Sequence, residues 1–323
     1  MARRPWDEAD KEILRLHGAQ CDTVAAWNKL GNRLGRSGDA VRMKYHAMQA
    51  QEDAENNQIE PIADPDFTPT PGASFETPDS GDGEFSFIYV SDTHGELIDQ
   101  SCREAIRDFI AAYKPDQRFH GGDAFDMRPL RNGAGAEDRA SSLMGDVEAG
   151  IEFLEEYKPH RITWGNHDAR LWDLAGSLRE SFEIDAARLL RDKIENVCRS
   201  MAIVTTPYEK ETGWQEIAPG RLIGHGFASS MYPAKVMAMH FGSTITGHVH
   251  AFDYHRLDNL RRDESYVSGC CCEINQPYNR AHRRTLKHEH VFLAGKADTN
   301  TGDWQIWPVR KRSNGRWFSP FPA

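Results

Sequence analysis

Nothing in the 323-residue chain approaches the roughly 20 consecutive apolar residues that a membrane-spanning helix needs, so no membrane partner is expected. The opening Met1-Ala2-Arg3-Arg4-Pro5-Trp6 has no apolar stretch behind its arginines, and no secretory signal is read there. Cysteine is scarce: Cys21, Cys102, Cys198, Cys270, Cys271 and Cys272, with no C-x-x-C pair among them. A chain of this size without signal or paired cysteines reads as reduced and cytoplasmic. The Cys270–Cys272 run invites a metal reading, but adjacent strand residues point to opposite faces. A buried strand is the expectation there. Basic residues are missing altogether from 51–84, which holds ten acids and five prolines. Low hydrophobicity, like charge and proline predict a disordered tether. Its charge would repel nucleic acid.

What is present suffices for one large domain and a small one. Hydrophobic residues make up 39% and the net charge is −10. In residues 1–50, nine basic residues outnumber six acidic ones. Trp6-Asp7-Glu8-Ala9-Asp10 opens a helix with Ile13, Leu14 and Leu16 as apolar positions, its early acids suiting a helix N-terminus. A second helical pattern carries Val24, Trp27 and Leu30. Ser37 is placed to cap a third, with Val41, Tyr45 and Met48 on one face. Trp6, Trp27 and Tyr45 can close a small core.

This stretch resembles a Myb/SANT-like three-helix domain through Trp6-Asp7-Glu8-Ala9-Asp10, Trp27-x-x-Leu30, and Gly35-Arg36-Ser37 followed by Val41 and Tyr45. The third aromatic is Tyr where Trp is usual. The resemblance implies a third helix able to enter the DNA major groove, with Arg36, Arg42 and Lys44 as its nucleic-acid contacts. Some relatives bind protein instead, and both partners stay open.

From Phe85 onward the rhythm is strand, polar residues, helix, as in an α/β sheet. Phe85–Val90 reads as a buried strand ending at Ser91-Asp92-Thr93-His94. Helices are predicted over 97–113, 136–157 and 169–199. Strands are predicted before Gly165-Asn166-His167-Asp168 and at 201–205, 214–217, 221–224, 251–257, 265–269, 290–293 and 304–309. Ser243-Thr244-Ile245-Thr246 leads to Gly247-His248-Val249-His250. Asp92 and His94, two apart, face one side if the backbone is extended.

Five blocks follow apolar runs: Asp92-x-His94, Gly122-Asp123, Gly165-Asn166-His167-Asp168, Gly224-His225 and Gly247-His248-Val249-His250. Together they offer carboxylates, an amide and imidazoles, with no thiolate. That donor set suits Mn²⁺, Fe or Zn²⁺. It is too large for one ion, and one carboxylate can bridge two. A two-metal hydrolytic centre is the natural reading.

From Phe85 to about Val309 the chain is similar to the calcineurin-like metallophosphoesterases, with all five blocks in order. The resemblance implies an α/β four-layer sandwich, two mixed sheets flanked by helices, with the site at the strand ends. It implies two divalent ions, Mn²⁺ first and Fe or Zn²⁺ as alternatives. By matched position, Asp92, His94 and His250 would hold one ion, Asn166, His225 and His248 the other, and Asp123 would bridge them. His167 would be the general acid and Asp126 the acid that orients it. Where the protein-phosphatase branch has arginine directly after that acid, this chain has Met127, with Arg128 next. The expectation is a phosphodiesterase or nuclease acting on DNA. The alternative is a phosphoesterase for a small nucleotide or a phosphoprotein.

Overall fold

The structure is a computed structural model that describes residues 6–17, 24–38, 40–42, 44, 45, 48, 83–179, 181–274 and 287–318. Contacts divide the chain into two units, Met1–Phe75 and Glu76–Ala323. The expected tether at 51–84 lies outside the described residues apart from 83 and 84. In the N-terminal unit, helix α1 (Glu8–His17) starts where Asp7 Oδ1 accepts from the backbone N–H of Asp10 at 2.9 Å, a side-chain cap. Helix α2 (Val24–Leu34) follows, and Ser37 Oγ accepts from Ala40 N at 3.2 Å at the start of further helical residues. Leu14, Trp27, Leu30, Leu34, Val41, Tyr45 and Met48 are buried together, with Trp6 packed against them.

The large unit is built on two mixed sheets. Strands β1 (Glu84–Val90), β2 (Gln117–His120), β3 (Arg161–Thr163) and β4 (Val204–Thr206) run parallel in the first sheet. On the other side of β1, antiparallel β10 (Val291–Asp298), β11 (Trp304–Lys311) and β12 (Trp317–Phe318) complete the order β12-β11-β10-β1-β2-β3-β4. The second sheet has the order β5-β6-β7-β9-β8. Its strands are β5 (Gln215–Ala218), β6 (Arg221–Ile223), β7 (Ser243–Thr246), β8 (Asp253–Arg256) and β9 (Glu264–Val267). Here β6, β7 and β9 are parallel to one another.

Alternation along β1 decides which layer each face meets. Phe85, Phe87 and Tyr89 pack with Ile217, Ile223 and Ile245 of the second sheet. Ile88 and Val90 face the opposite way, toward Cys102 and Ile106 of α3 (Gln100–Tyr113) and Phe153 and Tyr157 of α4 (Leu143–Tyr157). A third cluster joins α4 to α5 (Asn166–Ala175) and α6 (Phe182–Ser200). Helix α7 (Pro233–Phe241), absent from the sequence reading, packs on the second sheet. No described helix is long and apolar enough to cross a membrane.

Two expected helices are each divided. The 136–157 stretch breaks before Ser142, whose Oγ accepts from Gly145 N at 2.9 Å and starts α4 afresh. The 169–199 stretch breaks around Gly176, and Ser181 Oγ caps α6 by accepting from Ile184 N at 3.3 Å. Apolar periodicity runs through both breaks, which hid them. Cys270 and Cys272 form isolated bridges with His290 and Ile98 rather than a strand. All five described cysteines are buried, and none of them is in a disulfide.

Candidate metal centre

Three parallel strands of the first sheet and two of the second deliver the five sequence blocks to one place, at carboxyl ends of the kind where α/β sheets bind ligands. Strands β1, β2 and β3 end just before Asp92, Asp123 and Asn166; β6 and β7 end just before His225 and His248. The backbone there is not extended, contrary to the expectation for Asp92 and His94. Asp92 (φ 55°), His94 (52°), Asp123 (49°), His248 (79°) and His250 (59°) are all left-handed. Non-glycine residues in that region carry strain of order 1–3 kcal/mol each, a feature that collects at functional sites. The surrounding bonds enforce it. His248 N donates to Asp92 Oδ2 at 3.1 Å, and His94 N to the Asp123 carbonyl at 2.9 Å. The Tyr89 hydroxyl crosses between the sheets to donate to the Gly224 carbonyl at 2.7 Å, holding the turn before His225.

The donor atoms fall into two groups that meet at Asp123 Oδ2. In the first, His250 Nε2 lies 3.3 Å from Asp92 Oδ1 and 3.1 Å from His94 Nε2, which is 3.8 Å from Asp123 Oδ2. In the second, His225 Nε2 lies 3.3 Å from Asp123 Oδ2, 3.0 Å from Asn166 Oδ1 and 3.2 Å from His248 Nδ1. Outer hydrogen bonds fix which ring nitrogen faces in. His225 Nδ1 donates to the Gly121 carbonyl at 2.8 Å, and His94 Nδ1 to Asp126 Oδ1 at 3.0 Å. Their inward Nε2 atoms then present lone pairs to other lone pairs. Such a convergence is repulsive unless a proton or cation sits within it, so the residues fit two divalent ions sharing Asp123.

The charges say the same. Burial alone would raise the carboxyls of Asp92 and Asp123, but the surrounding imidazoles outweigh it and hold both below the usual carboxylate range. Burial opposes charging of His225, yet the Asp123 carboxylate pushes it up to about 9. Burial, then His225, pulls His248 down to about 4. The carboxylates thus draw positive charge into the centre.

His167 and Asp126 stand at the edge of this constellation. His167 Nδ1 donates to the Asp126 carbonyl at 2.9 Å and faces Asp126 Oδ1 at 3.0 Å, leaving Nε2 4.0 Å from Asp123 Oδ2. Arg128 closes the other side of Asp126, with Nε 2.8 Å from Oδ2. Asp168 supports two turns at once, accepting from Gly165 N at 2.8 Å and Phe125 N at 2.9 Å.

The sequence reading missed three contributors. Asp146 accepts from Asp126 N at 3.0 Å and Met127 N at 2.9 Å, fixing the turn that carries Asp126. Arg170 Nη1 donates to the Asp126 carbonyl at 3.0 Å; its spacing of three from His167 on one helix was the available signal. Cys272 Sγ lies 4.0 Å from His250 Nδ1, so a thiol does border the centre. Asp99, Cys102 and His290 form another trio with ligand spacing. There Asp99 caps α3 and His290 Nε2 donates to the Cys272 carbonyl at 3.0 Å.

The expected nucleic-acid contacts belong to the other unit. Arg42 is exposed and Lys44 half-exposed. Arg36 is turned inward, 3.1 Å from Asp10 Oδ2 and 3.8 Å above the Trp6 ring.

Comparison with known proteins bears on the large unit. The family model for calcineurin-like phosphoesterases matches residues 85–312. No curated protein matches the chain. Among solved structures, one described as a novel phosphatase from Mycoplasma pneumoniae is 14% identical, with a TM-score of 0.37, over 70% of this chain and 93% of that one. The family match spans most of the sequence and covers every strand that delivers a donor atom to the centre. The chain therefore belongs to the calcineurin-like phosphoesterase family and is a metal-dependent phosphoester hydrolase.

Proposed function

We propose that the centre hydrolyses phosphodiester bonds and that DNA, held by a Myb-like N-terminal unit, is its substrate. The observation that carries the hydrolytic part is the sharing of Asp123 Oδ2 between two inward-facing donor groups, 3.3 Å from His225 Nε2 and 3.8 Å from His94 Nε2. Two divalent ions bound there supply an activated water and polarise the phosphoryl oxygens. Asp92, His94, His250 and Asp123 would hold one ion, and Asp123, Asn166, His225 and His248 the other. The chain's own residues do the rest. Asp126 fixes His167 through Nδ1, so that Nε2 is free to carry a proton to the leaving oxygen. Asp168 and Asp146 hold the two turns in register.

The DNA part is supported by the basic excess of residues 1–50 and by the exposure of Arg42. A second reading, a small-nucleotide or phosphoprotein phosphoesterase with a docking N-terminal unit, is favoured by one observation. Arg36 is engaged by Asp10 and Trp6 and is not presented outward.

The test is Mn²⁺-dependent cleavage of end-labelled single- and double-stranded DNA by the full chain, beside Asp123→Asn and a chain lacking residues 1–84. A generic phosphodiester dye ester checks folding. Cleavage that needs Asp123 and weakens without the N-terminal unit establishes the reading. Dye-ester turnover with intact DNA transfers support to the second.

A further inference from the structure

Two arginines cluster around Asp126 and Arg170, and both are neutralised. Arg128 lies 2.8 Å from Asp126 Oδ2 and 2.9 Å from Glu96 Oε2, and Arg131 pairs with Asp138. Arg170 differs. It is half-buried, and no carboxylate among the described residues forms an ion pair with it. Nη1 donates to the Asp126 carbonyl at 3.0 Å and lies 3.2 Å from His167 Nδ1. Its acidic neighbours are otherwise committed. Asp123 accepts from His167 N at 2.8 Å and faces His225. Asp126 faces His94, His167 and Arg128. Asp168 accepts backbone N–H groups.

A guanidinium carries five donors in a planar fork that matches phosphate oxygens. None of the Arg170 nitrogens is among the enclosed polar atoms lacking partners, and in this half-buried side chain only Nη1 is engaged by Asp126 and His167. A cation that is partly desolvated, held by one carbonyl and in contact with no carboxylate of its own is placed to take an anion.

We propose that Arg170 binds a phosphate oxyanion of the substrate that the metal-facing donors do not reach. This rests on the phosphoester reading above and narrows it. In a phosphoryl group under in-line attack, a centre loaded through Asp92, His94, Asp123, Asn166, His225, His248 and His250 would neutralise charge on two non-bridging oxygens. The third equatorial position is a charged oxygen in a monoester and an ester oxygen in a diester. Arg170 therefore selects for charge beyond that of an isolated diester. That charge comes from the third oxygen of a terminal phosphate or from a neighbouring phosphate along a nucleic acid.

The experiment compares the full-length Mn²⁺-loaded wild type with Arg170→Ala and Arg170→Lys. Metal content is measured in each. Inorganic phosphate binding is followed by calorimetry, and turnover by p-nitrophenyl phosphate, bis(p-nitrophenyl) phosphate and end-labelled DNA. Arg170→Ala is expected to bind phosphate about tenfold more weakly or worse, with unchanged metal content. It should lose about tenfold in kcat/KM on the substrate class with the extra charge, against under about threefold on the isolated diester. Added guanidinium should restore part of that loss, and Arg170→Lys should fall between. Selective loss on the monoester identifies a terminal phosphate; selective loss on DNA identifies a neighbouring one. Unchanged phosphate affinity in Arg170→Ala overturns the proposal, as does an equal loss on all three substrates with depleted metal, which marks a purely structural hold on Asp126. A wild type that loads metal and binds phosphate through Arg170 yet turns over none of the three overturns the phosphoester reading while leaving the Arg170 site standing.

Discussion

Asp126 Oδ1 stands 3.0 Å from His167 Nδ1 and also 3.0 Å from His94 Nδ1. One carboxylate oxygen therefore orients a ring at the edge of the centre and a ring within it. Asp126→Ala should weaken both jobs. Outer partners of ligating histidines typically contribute 10–100-fold to metal affinity or activity, so a loss of at least about tenfold in kcat is expected, with metal content also reduced. Steady-state kinetics paired with metal analysis reads both. Full metal loading with unaltered kcat would remove Asp126 from the mechanism.

His167 should behave differently, because its Nε2 faces the centre from 4.0 Å and lies outside both donor groups. His167→Ala should keep its metals and lose about 10²–10⁴ in kcat, the range for a general acid. The loss should shrink for an ester whose leaving group is already a good one, since such a group needs little protonation. Equal losses on good and poor leaving groups would argue that the ring only shapes the site.

The metal-free centre should carry a pH signature. His225 is raised to about 9 by Asp123, above the ordinary value of about 6.5. A raised histidine contributes stability that is full below pH 6.5 and is lost as pH climbs through 9. The metal-free chain should therefore melt at progressively lower temperature between pH 6.5 and 9. The shift corresponds to about 3 kcal/mol at most from this group. Metal must displace that proton, so affinity should rise with pH over the same window. Thermal scans across pH 6–9.5 should show the stripped protein melting earlier as pH rises while the increment added by Mn²⁺ grows. Parallel curves would mean His225 is neutral without metal.

Much of this centre was legible because each donor directly follows an apolar strand. Asp92, Asp123, Asn166, His225 and His248 each sit within three residues of a strand end, where short-range pattern reaches. What stayed hidden depends on distance along the chain. Asp146 serves backbone groups of Asp126 and Met127, 20 and 19 residues away, from the first turn of α4, where an acid also reads as a dipole partner. The left-handed backbone at Asp92 and His94 is imposed by hydrogen bonds from other loops, and no local propensity announces it. Ser142 and Ser181 are ordinary cap residues whose signal was overridden by continuing apolar periodicity.

Removing the Asp146 carboxylate strands two buried N–H groups. Each such loss destabilises by about 1–3 kcal/mol, so Asp146→Ala should unfold at clearly lower denaturant concentration. Because those N–H groups belong to the turn bearing Asp126, kcat should fall further than global stability alone explains at temperatures where the variant is fully folded. Asp146→Asn keeps one acceptor oxygen and should recover part of both losses. A variant as active and stable as wild type would show that water replaces the carboxylate without consequence.

The N-terminal unit offers a sharper separation of roles than its charge suggests. Arg36 is ion-paired to the buried Asp10 at 3.1 Å and stacked on Trp6, whereas Arg42 is exposed. Breaking a largely buried pair leaves an uncompensated charge, which is more damaging than losing a surface contact. Arg36→Ala should therefore melt the unit, seen as loss of its helical signal and early proteolysis. Arg42→Ala and Lys44→Ala should leave it folded. If DNA is the partner, each of the latter should weaken binding uniformly across sequences and lower the salt slope by roughly one phosphate contact. A salt slope near zero for the wild type, with Arg42→Ala silent, would assign the unit to protein docking. Loss of DNA binding in Arg36→Ala alone would then report unfolding of the unit, and could not be taken as evidence of groove contact.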